Sequence, residues 1–218
     1  MALLRIISGA PRNEMKNPLE LLVATRNAGK LSELQSLLAS ASFQLRSLAE
    51  FPEVAEVEET GTTFAENAVL KASTYAAHTR LWTLADDSGL EVDSLGGAPG
   101  VYSARYGGCG LNDADRTRRL LEALKQRGDT DRLARFVCVI AIADPQGKII
   151  NLSTGTCEGR IAHAPRGANG FGYDPVFVPD GYEQTFGELP TEIKEEISHR
   201  ARALKAARSF LLKHFSEP

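Results

Sequence analysis

The chain has 218 residues, a formal net charge of −3, 43% hydrophobic and 24% charged residues. That is enough for one large domain or two lobes of one fold, with the composition of an ordinary globular protein. The acidic balance argues against a general nucleic-acid binder, and no stretch approaches the ~20 apolar residues needed to cross a bilayer.

Residues 1–18 contain Gly9, Pro11, Asn13, Asn17 and Pro18 and read as a flexible N-terminal extension, leaving 19–218 as a single domain. The run Ala2 to Leu4 is broken by Arg5 and is too short for a signal peptide. Leu19 to Thr25 is a short apolar run, predicted to be a buried strand. Asn27 to Ser40 follows with Leu31, Leu34, Leu37 and Leu38 at helical spacing, and Phe43 to Leu48 closes a β-α-β unit. Glu56 to Gly61 is an acidic loop. Thr63-Phe64-Ala65-Glu66 is a capping box that starts a helix reaching about Thr79.

Leu81 to Ala85 predicts a strand that stops at Asp86, because Asp and Gly are depleted inside strands. Leu95 to Gly110 reads as a long ordered loop, and Leu111 to Gln126 as a helix ended by Gly128. Its Arg116, Arg118 and Arg119 are expected to form a solvated helix face. Leu133 to Ala143 and Lys148 to Cys157 predict a hairpin around the turn Asp144-Pro145-Gln146-Gly147. Asn169 to Val178 is a glycine and aromatic segment ending in an apolar strand. Glu195 to Phe215 predicts one long helix with Ile197, Ala201, Leu204, Ala207, Leu211 and Phe215 on a core-facing stripe. The three cysteines, Cys109, Cys138 and Cys157, lack zinc spacing and fit a reducing cytosol. Parallel and hairpin signals together indicate an α/β fold with a mixed sheet.

Five segments carry residues suited to chemistry. Asp86 and Asp87 are adjacent, so alternation points them opposite ways. One can face a pocket and hold a divalent cation or deprotonate a water while the other braces a turn. An Asx-type turn would use both locally instead. Thr25-Arg26-Asn27-Ala28-Gly29-Lys30 precedes a helix N-terminus, where free N–H groups bind phosphate; an ordinary N-cap at Asn27 is the plainer reading. Glu58 and Glu59 are hard oxygen donors, or simply favourable charge ahead of a helix. Asn67 and Lys71 share a helix face, and Lys71 either snorkels or points at Asp87. Phe171-Gly172-Tyr173-Asp174 offers an aromatic ring that could stack on a base, and Lys194, His199 and Arg200 offer groups that read a base or close on phosphate.

In this order, TRNAGK, EETGTTFAENAVLKA, ADDSGLEVDSLGGAPGVYSARYGG, GFGYDPVF and ISHRARAL resemble the Ham1/RdgB-type inosine triphosphate pyrophosphatases over about Leu19 to Leu212. The resemblance implies a two-lobed mixed sheet flanked by helices with the active-site cleft between lobes. It also implies a homodimer that uses Mg²⁺ to hydrolyse altered purine nucleoside triphosphates (ITP, dITP and XTP) to the monophosphate and pyrophosphate; a cytoplasmic location is expected from the cysteines. By the same resemblance Thr25 to Lys30 hold the triphosphate, and Asp87 accepts a proton and contacts metal with Glu58 or Glu59. Asn67 and Lys71 support phosphate and water, and Ser88 contacts substrate. Phe171 to Asp174 bind the base with Phe171 stacking, and Lys194, His199 and Arg200 read the purine. A non-catalytic nucleotide-binding protein, or a Maf-like pyrophosphatase of other base preference, is the alternative.

Overall fold

Apolar residues occupy both faces of the central strands, and helices cover both. The computed structural model describes residues 19–39, 43–108, 110–128 and 131–215; the expected N-terminal extension, Ser40, Cys109 and the Phe215 side chain lie outside the described parts. Strands β1 (Leu19–Val23), β2 (Phe43–Ser47), β3 (Trp82–Val92), β4 (Leu133–Ala143), β5 (Ile149–Ile161) and β6 (Phe177–Pro179) form one sheet in the order β2-β1-β3-β4-β5-β6. β1 is parallel to β2 and β3, and the remaining neighbours are antiparallel. The helices are α1 (Ala28–Leu38), α2 (Phe64–Thr79), α3 (Asp113–Gln126), α4 (Thr191–Ile197) and α5 (His199–Phe215), with short 3-10 turns at Asp93–Leu95, leading into the expected long loop, and at Gly100–Arg105 within it. Among the described residues no helix is long and apolar enough to cross a membrane.

Strand alternation sorts the core. Leu22, Ala85, Val139, Ala141 and Ala143 pack with Ala68, Ala72 and Ala76 of α2. Their sequence neighbours Leu21, Val23, Leu84, Cys138, Ile140 and Ile142 pack on the opposite face with Leu34 and Leu38 of α1 and Ala203, Leu204, Ala207 and Leu211 of α5. Further along that second face, Leu90, Val92, Ala134 and Phe136 pack with Leu120 and Leu124 of α3. Each fully buried Leu or Ile contributes about 1.5–3 kcal/mol, and a one-residue slip would turn the whole set inside out. Register therefore fixes which helix each carboxylate of β3 meets.

Two expectations need correction. β3 does not stop at Asp86 but continues to Val92, paired with β4 from Thr83 to Val92. The two Asp side chains find ionic partners across the sheet, so they need no turn to satisfy them. Gly89 leaves room where a Cβ would meet Ser103 Oγ and the Gly100 carbonyl. The expected single helix Glu195–Phe215 is two helices, parted at Ser198. Ser198 is extended (ψ 157°) and its Oγ accepts from the Ala201 amide at 3.2 Å, as a capping serine does.

Candidate active site

The site forms where loops and helix ends converge over β3. Leaving β1, the chain is capped by Asn27, whose Oδ1 accepts from the Lys30 amide at 3.0 Å. α1 then presents Lys30 and, one turn later, Glu33. Lys30 Nζ is 3.0 Å from Asp86 Oδ2. Arg200 lies over the same carboxylate, with Nε 3.6 Å away, and donates to Ser88 Oγ at 3.0 Å. Ser88 Oγ in turn donates to Asp86 at 3.1 Å. Burial alone would raise the Asp86 pKa, but Lys30 and Arg200 outweigh it and hold the carboxyl well below the usual range.

Glu33 accepts from Lys194 Nζ at 2.6 Å and is ion-paired with Arg200. Lys194 also bonds Asp174, which accepts from the Phe171 amide at 2.8 Å. An unbroken run of paired charges thus joins Lys30, Asp86, Arg200, Glu33, Lys194 and Asp174. The break at Ser198 lets Lys194 of α4 and Arg200 of α5 converge on Glu33. Lys194 Nζ and the Arg200 guanidinium lie 4.9 and 5.7 Å from the Phe171 ring centroid, a cation–π arrangement. That ring rests on Gly29, where a Cβ would come within 2.7 Å.

On the other face of β3, Asp87 accepts from Asn67 Nδ2 at 3.2 Å and from Lys71 Nζ at 3.1 Å. Asn67 Oδ1 accepts from the Gly61 amide, which ties α2 to the acidic loop. Lys71 Nζ also meets Glu59 Oε1 at 2.6 Å, and Arg105 lies 3.7 Å from the other Glu59 oxygen. Burial raises the Asp87 pKa and Glu59 adds to that, while Lys71 and Lys30 oppose them; the net direction is up. Lys71 itself is held charged, because the carboxylates around it outweigh its burial.

These groups line two joined compartments. The first is a polar cleft of about 550 Å³ bordered by Thr25, Arg26, Glu58, Glu59, Lys71 and Asp87. The second is smaller, about 90 Å³, and partly apolar, walled by Phe136, Phe171, Asp174, Lys194, His199 and Arg200. Asn27, Lys30, Ser88 and Ala104 border both. His199 stacks on Phe136 at 4.6 Å and 11°, and its buried Nδ1 has no hydrogen-bond partner among the described residues. Burial, then Arg200, push its pKa well below the ordinary value, so the imidazole is neutral at pH 7.

A model of the Ham1 family matches residues 21–210. The chain belongs to the Ham1 family. A Desulforamulus reducens relative named dITP/XTP pyrophosphatase is 50% identical over 193 residues, 88% of this chain and 96% of its own length. A Gloeobacter violaceus relative of the same name is 53% identical over 185 residues, covering 85% and 90%. The solved structure of a HAM1 protein from Coxiella burnetii is 44% identical, covers 89% of this chain and 99% of its own, and superposes with a TM-score of 0.82.

Of the residues singled out in the sequence, this Ham1-family structure brings all but a few to the two compartments. Ala28 is exposed at the start of α1, and Gly29 backs the Phe171 ring rather than lining a compartment. Arg26 borders the cleft while donating to the Val54 carbonyl at 2.7 Å. Glu58 is exposed at the rim, whereas Glu59 is held between Lys71 and Arg105. Sequence reading missed Asp86 as a buried ion-pair hub, Glu33, Asp113 and Arg116. Arg118 and Arg119 are exposed as expected, but Arg116 lines the smaller compartment and pairs with Asp113. The acid at the first position of α3 and the Arg three residues on were the available signal, but Arg116 was expected on a solvated helix face.

Proposed function

We propose that this protein is a nucleoside-triphosphate pyrophosphatase that hydrolyses dITP, ITP and XTP to the monophosphate and pyrophosphate. The observation that carries this reading is the pair of joined compartments. One is aromatic-walled and sized for part of a planar ring, and the other is polar, with two lysines and several carboxylates. A nucleotide has the same division, a flat base at one end and a polyphosphate at the other.

Asp87 acts as the base. Asn67 and Lys71 hold its carboxylate in one orientation, from which it takes a proton off the water that attacks the α-phosphorus. Lys30 and Lys71 offset charge that develops on the phosphoryl oxygens, and because both are already paired they need little reorganisation. Loss of pyrophosphate completes the displacement. Thr25 and Asn27 face the phosphates at the mouth of α1. In the smaller compartment Phe171 stacks on the base. Lys194 and Arg200 can only donate hydrogen bonds, which suits a purine bearing an oxo group and leaves them unmatched by a 6-amino group.

Glu59 and Asp87 fit a hard divalent cation such as Mg²⁺. Their donors are all oxygens, as such a cation requires, while Lys71 Nζ lies between them at 2.6 and 3.1 Å and would have to give way to it. When bound, such a cation would neutralise charge on the polyphosphate. The remaining elements of this reading are a single catalytic domain over 19–218, a homodimer and a cytoplasmic location, in keeping with free, buried Cys138 and Cys157.

Turnover of ITP in ¹⁸O-water tests the reaction class. Label in the nucleoside monophosphate and none in pyrophosphate is expected; label in orthophosphate would place the attack at the γ-phosphorus and reject the reading.

A further inference from the structure

The loop that carries Phe171 is held from outside by the first turn of α3. Asp113 uses both carboxylate oxygens: Oδ1 pairs with Arg116, and Oδ2 accepts from the Gly172 amide at 2.8 Å. Arg116 is itself fixed by the Leu111 carbonyl, so the carboxylate cannot swing away without losing two partners. One turn further, the buried Thr117 hydroxyl donates to the Gly172 carbonyl at 3.4 Å. Gly172 is thus gripped at both its N–H and its C=O by a helix 55 to 59 residues away in sequence. The next residue is anchored too, with the Tyr173 hydroxyl donating to the Ser103 carbonyl at 3.0 Å. Gly172 has a φ of 62° with open space around it, so glycine is required for its backbone angle rather than for room.

We infer that Asp113, oriented by Arg116, is a positioning residue that sets the place of the Phe171 ring through Gly172 and thereby governs how well the base is bound. This rests on the reading of the smaller compartment as the base pocket. Asp113 and Arg116 both border that compartment and neither borders the polar cleft. Their effect therefore falls on the base and spares the polyphosphate. Ordinary helix-end electrostatics would leave Asp113 interchangeable with any first-turn acid, including Asp115, which pairs outward with Arg118.

The test compares Asp113→Ala with Asp113→Asn, which keeps an oxygen able to accept from Gly172. Asp113→Ala is expected to raise KM for ITP about tenfold, the effect of losing one charge-assisted hydrogen bond. It should leave kcat within about threefold, and inhibition by inorganic tripolyphosphate should be unchanged. The Gly172 amide should exchange its hydrogen faster, and Asp113→Asn should recover most of both losses. A KM unchanged from wild type, or an equal loss of tripolyphosphate inhibition, would overturn the inference. Should the alanine variant fail to fold, Thr117→Val reads the same latch at the carbonyl and predicts the same KM shift, smaller in size. Failure of the functional reading is distinct, because then the unaltered protein would release no pyrophosphate from ITP.

Discussion

Asp86 and Asp87 are adjacent on β3, yet their carboxyl groups are driven in opposite directions. Asp86 faces α1 and α5 and is held ionised by Lys30 and Arg200; Asp87 faces α2, where burial raises its pKa against the pull of a lysine it shares with Glu59. A paired, low-pKa carboxylate is a structural anchor. A buried carboxylate pushed upward, oriented by two donors and facing a cleft, has the properties of a general base.

Replacement of Asp87 by Asn should therefore cost activity without costing stability. A general base contributes roughly 10²–10⁴-fold, so kcat is expected to fall within that range. Because folding raises the Asp87 pKa, the ionised group opposes folding as pH rises through that raised value. Asp87→Asn should then unfold in urea at a midpoint no lower than wild type. Near-normal turnover by the folded variant would remove Asp87 from its assigned role.

Asp86→Asn should do the reverse. Removing one partner of a buried ion pair typically costs about 3–5 kcal/mol, since Lys30 is left uncompensated and Arg200 keeps only Glu33. The Asp86 pKa is depressed on folding, so its contribution is present above the unfolded value and lost as pH falls below the ordinary carboxylate range. The acid limb of stability below about pH 4 should flatten in Asp86→Asn. An unchanged limb would mean the anchor lies elsewhere.

His199 marks a separate window. The folded protein keeps it neutral, while the unfolded chain gains a proton below the ordinary value of 6.5. Stability from this group is complete above pH 6.5 and declines as pH drops through it. Urea titrations between about pH 6.5 and 4.5 should show that decline in wild type and lose it in His199→Gln.

Gly155 is predicted to hold the pocket from a distance. A Cβ there would strike the His199 carbonyl and the Ala203 amide. Gly155→Ala should force the first turn of α5 off β5, at about 1–3 kcal/mol of stability. It should also raise KM for ITP more than it lowers kcat, because His199 and Arg200 move with that turn. Unaltered kinetics would show that the helix start tolerates displacement.

Much of this was legible in the chain because its signals are local. The capping box at Thr63 and Glu66, the leucine spacing of α1 and the hairpin around Asp144 each formed as expected, with the Glu66 amide 3.1 Å from Thr63 Oγ1. What stayed hidden is long-range pairing. Asp86 read as a turn residue because its partners Lys30 and Arg200 lie 56 and 114 positions away. Glu33 drew no attention in the sequence, because the two cations that meet it come from α4 and α5. Ser198 is a residue type that caps helices, yet it fell inside the expected helix Glu195–Phe215 and drew no break there.

The central claim is most directly tested by pyrophosphate release from ITP, XTP, ATP and GTP, each with Mg²⁺ and with the cation chelated. The account predicts fast release from ITP and XTP, little from ATP, whose 6-amino group offers Lys194 and Arg200 no acceptor, and loss of release on chelation. Equal turnover of all four, or none by folded protein, would contradict it.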